Sequence, residues 1–234
     1  MSTSFAFTPI VTDGLILYLD AANTKSYISG STDWYDLTTY NNDGTLTNGP
    51  TFSSTNGGSI VFDGVNDYVQ VNNSDILNPT QTITLSVWSK FNGSYGGFYA
   101  PILFKKNTAL SYCEQYTLAY STSGIVQIAI GDGSSNQSAN TPLSYTNQLI
   151  NIVGIVDTPN NVIKIYVNGG LKKTTSISYP SMIVSTNPVI IGGNAQGGFP
   201  GYMGGDIYNV SIYNRVLSDA EILQNYNATK WRFQ

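Results

Sequence analysis

The chain has no histidine, one cysteine and only two glutamates among 234 residues. Without histidine, Ser-His-Asp and Cys-His nucleophilic catalysis are excluded, and the commonest transition-metal ligand is missing. With one cysteine, Cys113, no intrachain disulfide can form. Its flanks, "LSYCEQYTLAY", are strand-like and suit a half-buried small residue better than a nucleophile. Charged residues make up 10% of the chain, against roughly 25% in an average globular domain. The surface must therefore be coated with Ser, Thr, Asn, Gly and Tyr, as on extracellular and virion-surface β proteins. Ten Lys plus Arg against fourteen Asp plus Glu give a net charge of −4. The pairs Lys105-Lys106 and Lys172-Lys173 make no phosphate-tracking stripe, so no nucleic-acid partner is expected. No apolar run reaches membrane-spanning length, so no membrane insertion is expected either. The start, "MSTSFAFTPI", lacks the basic region and apolar core of a secretory signal. Either a signal has already been removed, or the protein is used without that export route.

What is present is β punctuation. "GLILYLD" (14–20) reads as a strand after a turn at Asp13-Gly14, and "WYDLTTYNNDGTLTNGPTF" (34–52) carries turns at Asp43-Gly44 and Asn48-Gly49-Pro50. "SIVFDGVNDYVQV" (59–71) alternates on both sides of Asp63-Gly64, a hairpin signal. "TITLSVWSKF" (82–91) alternates strictly, with Ile83, Leu85 and Val87 on one face and Thr84, Ser86, Trp88 and Lys90 on the other. "YTLAYS" pairs with "GIVQIAIG". "LINIVGIVD" and "VIKIYVN" flank a turn at 158–161, and Asn168-Gly169-Gly170 leads into "LKKTTSI". One helix is signalled, in "LSDAEILQNY": Ser218 and Glu221 form a capping box, with Leu217 and Ile222 as a hydrophobic staple. Many short strands, glycine-rich turns and one terminal helix predict a single all-β sandwich or jelly roll.

In order, "GLILYLDAAN", "WYDL", "NNDGTLTNGPTF", "SIVFDGVNDYVQV", "TITLSVWSKF", "IKIYVNGGLK" and "GDIYNVSIYNRVLSDAEI" resemble a laminin-G-like domain of the concanavalin A-like lectin/glucanase superfamily. The resemblance covers Gly14 to about Asn227 and implies a jelly-roll sandwich of two antiparallel sheets with a short C-terminal helix. Residues 1–13 then stand outside as an N-terminal arm, with 14–234 as the domain. Trp34, in the framework motif "WYDL", belongs to the core. The fold alone names no ligand, because it carries lectins, adhesion modules, hydrolases and structural domains.

The glucanases of the superfamily carry a Glu-x-Asp-x-(x)-Glu strand, and glycoside hydrolysis needs two carboxyl groups facing one bond. Here Glu221 is taken by the capping box, and Glu114 has no acidic partner two to five residues on. The expectation is therefore no enzyme. Asp63 and Asp67 do not match an EF-hand loop, and a turn built on Asp63-Gly64 explains them. Resembling jelly rolls often hold one structural Ca²⁺ by backbone carbonyls and one carboxylate near the last strand. The matching carboxylate is Asp206, with Asp63, Gly64 or Asp20 completing the set.

Exposed aromatic faces stack sugar rings, and nearby polar groups read the hydroxyls. Trp88 lies on the polar side of its strand. Tyr95, Phe98 and Tyr99 occupy "NGSYGGFYAP", and Phe199 and Tyr202 occupy "QGGFPGYMGG". These two glycine-flanked loops suggest one binding edge, unless their rings plug the ends of the sandwich. The expectation is a non-catalytic surface recognition or display module, either a virion decoration or adhesin protein or a free carbohydrate-binding lectin, with a glycan hydrolase third. Domains resembling this one recur on bacteriophage particles. The uncharged, apolar arm (Phe5, Phe7, Pro9, Ile10, Val11) is expected to be buried, on its own sandwich or against an assembly such as a virion. A cell-surface glycan is the other expected partner, and a virion or extracellular surface the expected location.

Overall fold

The computed structural model describes residues 8–97, 99–107, 114–194 and 201–233. In chain order its strands are β1 Leu15–Asp20, β2 Asp33–Trp34, β3 Gly44–Thr47, β4 Thr51–Ser53, β5 Ser59–Asp63, β6 Tyr68–Val71, β7 Thr82–Gly97, β8 Ala100–Lys106 and β9 Glu114–Tyr120. They continue with β10 Ile125–Gly131, β11 Asn136–Ser144, β12 Leu149–Asp157, β13 Val162–Val167, β14 Gly170–Ser176, β15 Val189–Ile191, β16 Gly193–Asn194 and β17 Gly201–Tyr213. The helix α1 spans Asp219–Thr229, and a 3-10 turn, Lys230–Phe233, follows it. The first sheet runs β14-β13-β12-β7-β17-β5-β4, with β1 and β16 also on β17. The second runs β11-β10-β9-β8-β15-β6-β3-β2, and every pairing is antiparallel. The protein is thus an all-β jelly-roll sandwich with one short C-terminal helix.

The alternation read in β7 holds. Ile83, Leu85, Val87 and Phe91 enter the main core between the sheets, with Ile128 and Ile130 of β10 and Ile152 of β12. Trp34 is fully buried there too. The sheets approach so closely at Gly154 that a Cβ would sit 2.6 Å from Ile128 Cδ1, so only glycine fits that position without repacking. A polar intruder in this compact body is Lys105, fully buried, whose Nζ donates to Asn73 Oδ1 (2.6 Å) and the Asn187 carbonyl (2.7 Å). Burial pulls its pKa down to about 8.

Two sequence expectations need correction. Residues 59–71 are not a hairpin, because β5 lies in the first sheet and β6 in the second. Both strands alternate because each presents one face to the same core, Ile60 and Phe62 from one side, Val69 and Val71 from the other. The Asp63–Asp67 turn carries the chain across the sandwich. The polar face of β7, where Trp88 was expected to bind ligand, is covered at Trp88. Val153, Ile155, Tyr166, Tyr213, Leu217 and Ile222 form a second apolar cluster beneath α1. Ser218 Oγ accepts from the Glu221 N–H, and the Glu221 carboxylate accepts from the Ser218 N–H, so the capping box is complete. Arg215 grips the same carboxylate at 2.6 Å.

Of the expected arm, residues 8–13 lie along the protein's own helix. Val11 N–H donates to Asn225 Oδ1 (2.7 Å), Gln224 Nε2 donates to the Pro9 carbonyl (2.8 Å), and Tyr213 donates to the Val11 carbonyl (2.9 Å). Residues 1–7, with Phe5 and Phe7, lie outside the described residues, as does Cys113.

Replacing both Ser218 and Glu221 by Ala should lower unfolding stability by about 1–2 kcal/mol. The Arg215 hydrogen bond, then the Ser218 N–H, hold the Glu221 carboxyl at about 2, against 4.5 when free. A depressed acid stabilises above its unfolded pKa and loses that contribution as pH falls. Acid unfolding followed by tryptophan fluorescence should therefore lose stability between pH 4.5 and 2 in the wild type, and lose less there in the double variant. Lys105 works in the opposite range. Between about pH 8 and its free value of 10.5 the unfolded chain holds the extra proton, so stability rises with pH across that window. The urea midpoint should climb from pH 8 towards 10 in the wild type, and stay flat in Lys105→Met.

Candidate functional site

The outer face of the first sheet carries the richest surface chemistry, and the chain end determines which part of it stays open. On this face β7 offers Ser86, Trp88 and Lys90. Opposite them across β17 stand Ser211, Asn209 and Asp206, and Tyr18 and Asp20 of β1 continue the row. Trp88 is only 4% exposed. Its indole stacks on Tyr226 (5.7 Å) and packs against Phe233 (4.3 Å), and its Nε1 donates to Thr229 Oγ1 (2.8 Å). Trp88 is therefore the anchor of the C-terminal segment and not the open stacking platform expected of it. The physical reason is that α1 and its tail return onto the strand's polar side.

Beside this anchor lies a groove of about 390 Å³, lined by Pro9, Ile10, Tyr18, Asp20, Trp231 and Arg232, among others. The volume falls in the range of small-ligand sites, roughly 300–1,000 Å³. Trp231 is 58% exposed, and its Nε1 donates to the Ala228 carbonyl (2.8 Å), which fixes the indole to the helix end. Arg232 and Asp20 form an ion pair at 2.8 Å with side chains 8% and 13% exposed. Asp20 also accepts from the Ala22 N–H (3.0 Å) and the Tyr18 hydroxyl (3.1 Å). Burial first, then the Asp20 charge, pushes the Tyr18 hydroxyl far above the usual tyrosine range, so it stays a neutral donor and acceptor at any physiological pH. Arg232 Nε is buried without a protein acceptor. The groove thus holds a charge-balanced pair and is rich in hydrogen-bonding atoms beside the Trp231 indole.

Across the tail, a second groove of about 360 Å³ is lined by Thr55, Asn56, Lys90, Asn147, Asp206 and Tyr208, among others. Asp206 Oδ1 accepts from Ser59 Oγ at 2.9 Å.

The expected aromatic edge is brought together in part. The end of β7 pairs with the start of β17, Tyr95 opposite Met203 and Tyr202 opposite Gly96. The two glycine-rich segments thus meet as one two-stranded edge, beside the Asp63–Asp67 turn. Tyr95, however, packs against the main core, and Tyr99 and Tyr202 are half-buried. Phe98 and Phe199 lie outside the described residues.

The residues expected to hold calcium are each engaged within the protein. Asp20 is already neutralised by Arg232. Asp63 Oδ1 accepts from the Val65 and Asn66 N–H groups (2.7 and 3.3 Å), and Asp67 Oδ2 accepts from Asp63 N–H (3.0 Å). Gly64 takes φ 78° to close this turn, and burial raises the Asp67 carboxyl. Asp206 stands two residues from Asp63's partner Gly204 on β17. Among the described residues no three Asp, Glu, His or Cys side chains come together. Trp231 and Arg232 carried no motif that singled them out; the only signal was a tryptophan beside an arginine just past the helix.

The sandwich, its covered outer face and the open pockets define a β-sandwich of the lectin-like kind. The chain belongs to the laminin-G-like family Laminin_G_3 of the concanavalin A-like lectin/glucanases superfamily, whose family model matches residues 63–223. No curated protein matches it in sequence. Among solved structures, the binding domain of Paraclostridial Mosquitocidal Protein 1 superposes with a TM-score of 0.70 at 15% identity, over 92% of this chain and 52% of that one. The receptor binding domain of botulinum neurotoxin C/D mosaic serotype gives 0.70 at 18% identity, over 92% and 51%. The botulinum neurotoxin serotype D ligand binding domain, solved in complex with N-acetylneuraminic acid, gives 0.67 at 16% identity, over 92% and 50%. This chain therefore spans about half the length of each, and what they share with it is the fold.

The Asp20–Arg232 pair should behave as a buried ion pair. Asp20→Ala should cost about 3–5 kcal/mol by leaving the guanidinium uncompensated. Asp20→Ala with Arg232→Met should recover a large part of that loss in a double-mutant cycle of urea unfolding.

Proposed function

We propose that this protein is a non-catalytic recognition module that binds a glycan in the Trp231 groove. The observation that carries the reading is the exposed, hydrogen-bond-fixed Trp231 indole sharing one groove with the half-buried Tyr18, Asp20 and Arg232. A pyranose presents an apolar C–H face to an aromatic ring and hydroxyls to polar atoms at its edge. Tyr18 can accept, and Asp20 retains lone pairs beyond the hydrogen bonds it already holds. Neutral sugars suit a groove that holds a charge-balanced pair.

A non-catalytic role is supported by the carboxylates. The Trp231 groove has Asp20 alone and the second groove has Asp206 alone, whereas glycoside hydrolysis needs a pair. Glu221 is held by Arg215 and Ser218, and Glu114 begins β9 in the opposite sheet. The structural neighbours are binding domains, one solved with a sialic acid, which supports recognition as the class of function. Display on a virion through the arm draws no support from residues 8–13, since these are bonded to the protein's own helix.

A glycan array probed with the full chain should give binders whose affinity falls about tenfold or more in Trp231→Ala, the loss of roughly 1.4 kcal/mol. Tyr202→Ala should leave them unchanged. The reverse pattern would move recognition to the aromatic edge, and an array with no binders would remove the glycan reading.

A further inference from the structure

We infer that the second groove, between Lys90 and Asp206, is a subsite for a carboxylated sugar. This rests on the glycan reading above but concerns a different place on the sheet. Lys90 of β7 sits directly opposite Asp206 of β17 and Leu149 of β12, at the centre of the first sheet's outer face. It is half-buried. Its ammonium forms no ion pair or hydrogen bond with any described residue, although a carboxylate stands on the adjoining strand. Asp206 turns to Ser59 instead, with Ser59 Oγ donating to Oδ1 at 2.9 Å, and its other oxygen has no donor among the described residues. A lysine held partly out of water beside an available carboxylate, yet unpaired with it, is a cation kept for something else.

The backbone around these two residues is specifically shaped. The β17 register shifts between Met203 and Gly205 and again between Ile207 and Asn209, so two bulges bracket Asp206. Bulges re-aim side chains and gather beside functional sites. Gly205 has φ 134°, and a Cβ there would lie 2.1 Å from the Lys90 carbonyl oxygen, so the strand reaches Lys90 only because this residue is glycine. Asn56 and Asn147 wall the groove from either side, each offering an amide donor and acceptor.

The charges select the ligand. One cation beside one carboxylate disfavours a phosphate monoester, whose larger charge Asp206 would repel. It favours a ligand with one carboxylate for Lys90 and a hydroxyl a few ångströms away to donate to Asp206. A uronic or similar sugar acid has that pattern on a single ring, and the two asparagines can read its remaining hydroxyls.

The test titrates the full chain with D-glucuronate and with its neutral methyl ester, followed by chemical-shift changes in labelled protein. Glucuronate should bind at least tenfold more tightly than the ester. Lys90→Gln and, separately, Asp206→Asn should each weaken it at least tenfold, while Trp231→Ala leaves it within twofold. Lys90 contacts no described partner, so its variant should melt with the wild type; if it does not, Asn147→Ala serves as the second probe, with a threefold or greater loss expected. Equal binding of acid and ester, indifference to Lys90→Gln and Asn147→Ala, or binding of neither sugar would overturn the inference. Loss in Trp231→Ala alone would place the acid in the other groove and leave the glycan reading standing.

Discussion

Trp88 stacked on Tyr226 and packed against Phe233 is the contact on which the accessible chemistry of this molecule depends. A sandwich of this kind has two outer faces, and a face that carries Trp, Tyr, Asn and Ser can become core, site or solvent-exposed surface. The C-terminal segment settles the matter. Its helix seals one half of the first sheet over the second apolar cluster, and its last turn lies across the middle of the sheet. Grooves remain open on this face, among them those lined by Trp231 and by Lys90. Phe233 also meets Tyr208 edge to face at 5.1 Å, with the Arg232 guanidinium 5.2 Å from the Phe233 ring. The tail thus lines the Trp231 groove as well as sealing the sheet.

The same segment explains why so few charges suffice. Two arginines account for every ion pair among the described residues, Arg215 to Asp13 and Glu221, Arg232 to Asp20. All of them tie the chain end to the start of the domain or to the helix cap. Surface ion pairs are worth little individually, but the Arg232 and Asp20 side chains are only 8% and 13% exposed, and the pair lines the same groove as Trp231. The rest of the surface relies on hydroxyls and amides, which suits a module that reads hydroxyl-rich ligands.

Much of this was legible from local pattern. The period-two alternation of "TITLSVWSKF" gives the right residues to each face of β7, and "LSDAEI" announces a capped helix because both partners of the cap lie within one turn. The strands of residues 59–71 were legible, but their pairing was not. Alternation shows which side chains face a core and does not show which sheet of the sandwich a strand joins. Trp88 was assigned to the correct side of its strand, yet it was expected to bind ligand there, because what covers it comes from residues 138 and more positions later. Trp231 and Arg232 gave no signal at all, since "KWRF" follows the last recognisable element and has no periodicity of its own.

The sequence alone determined the class of the fold, the inward face of each long strand, the helix with its cap, and the absence of histidine- and disulfide-based chemistry. These follow from short-range steric and hydrogen-bonding rules that act within a few residues. Only the tertiary structure decided which polar face is buried, that Asp20 pairs with Arg232, and that Lys90 and Asp206 stand side by side without pairing. Each of those outcomes depends on where two distant stretches of chain meet. That is fixed by packing across the sandwich and by the return of the chain end onto it, and no local pattern encodes it.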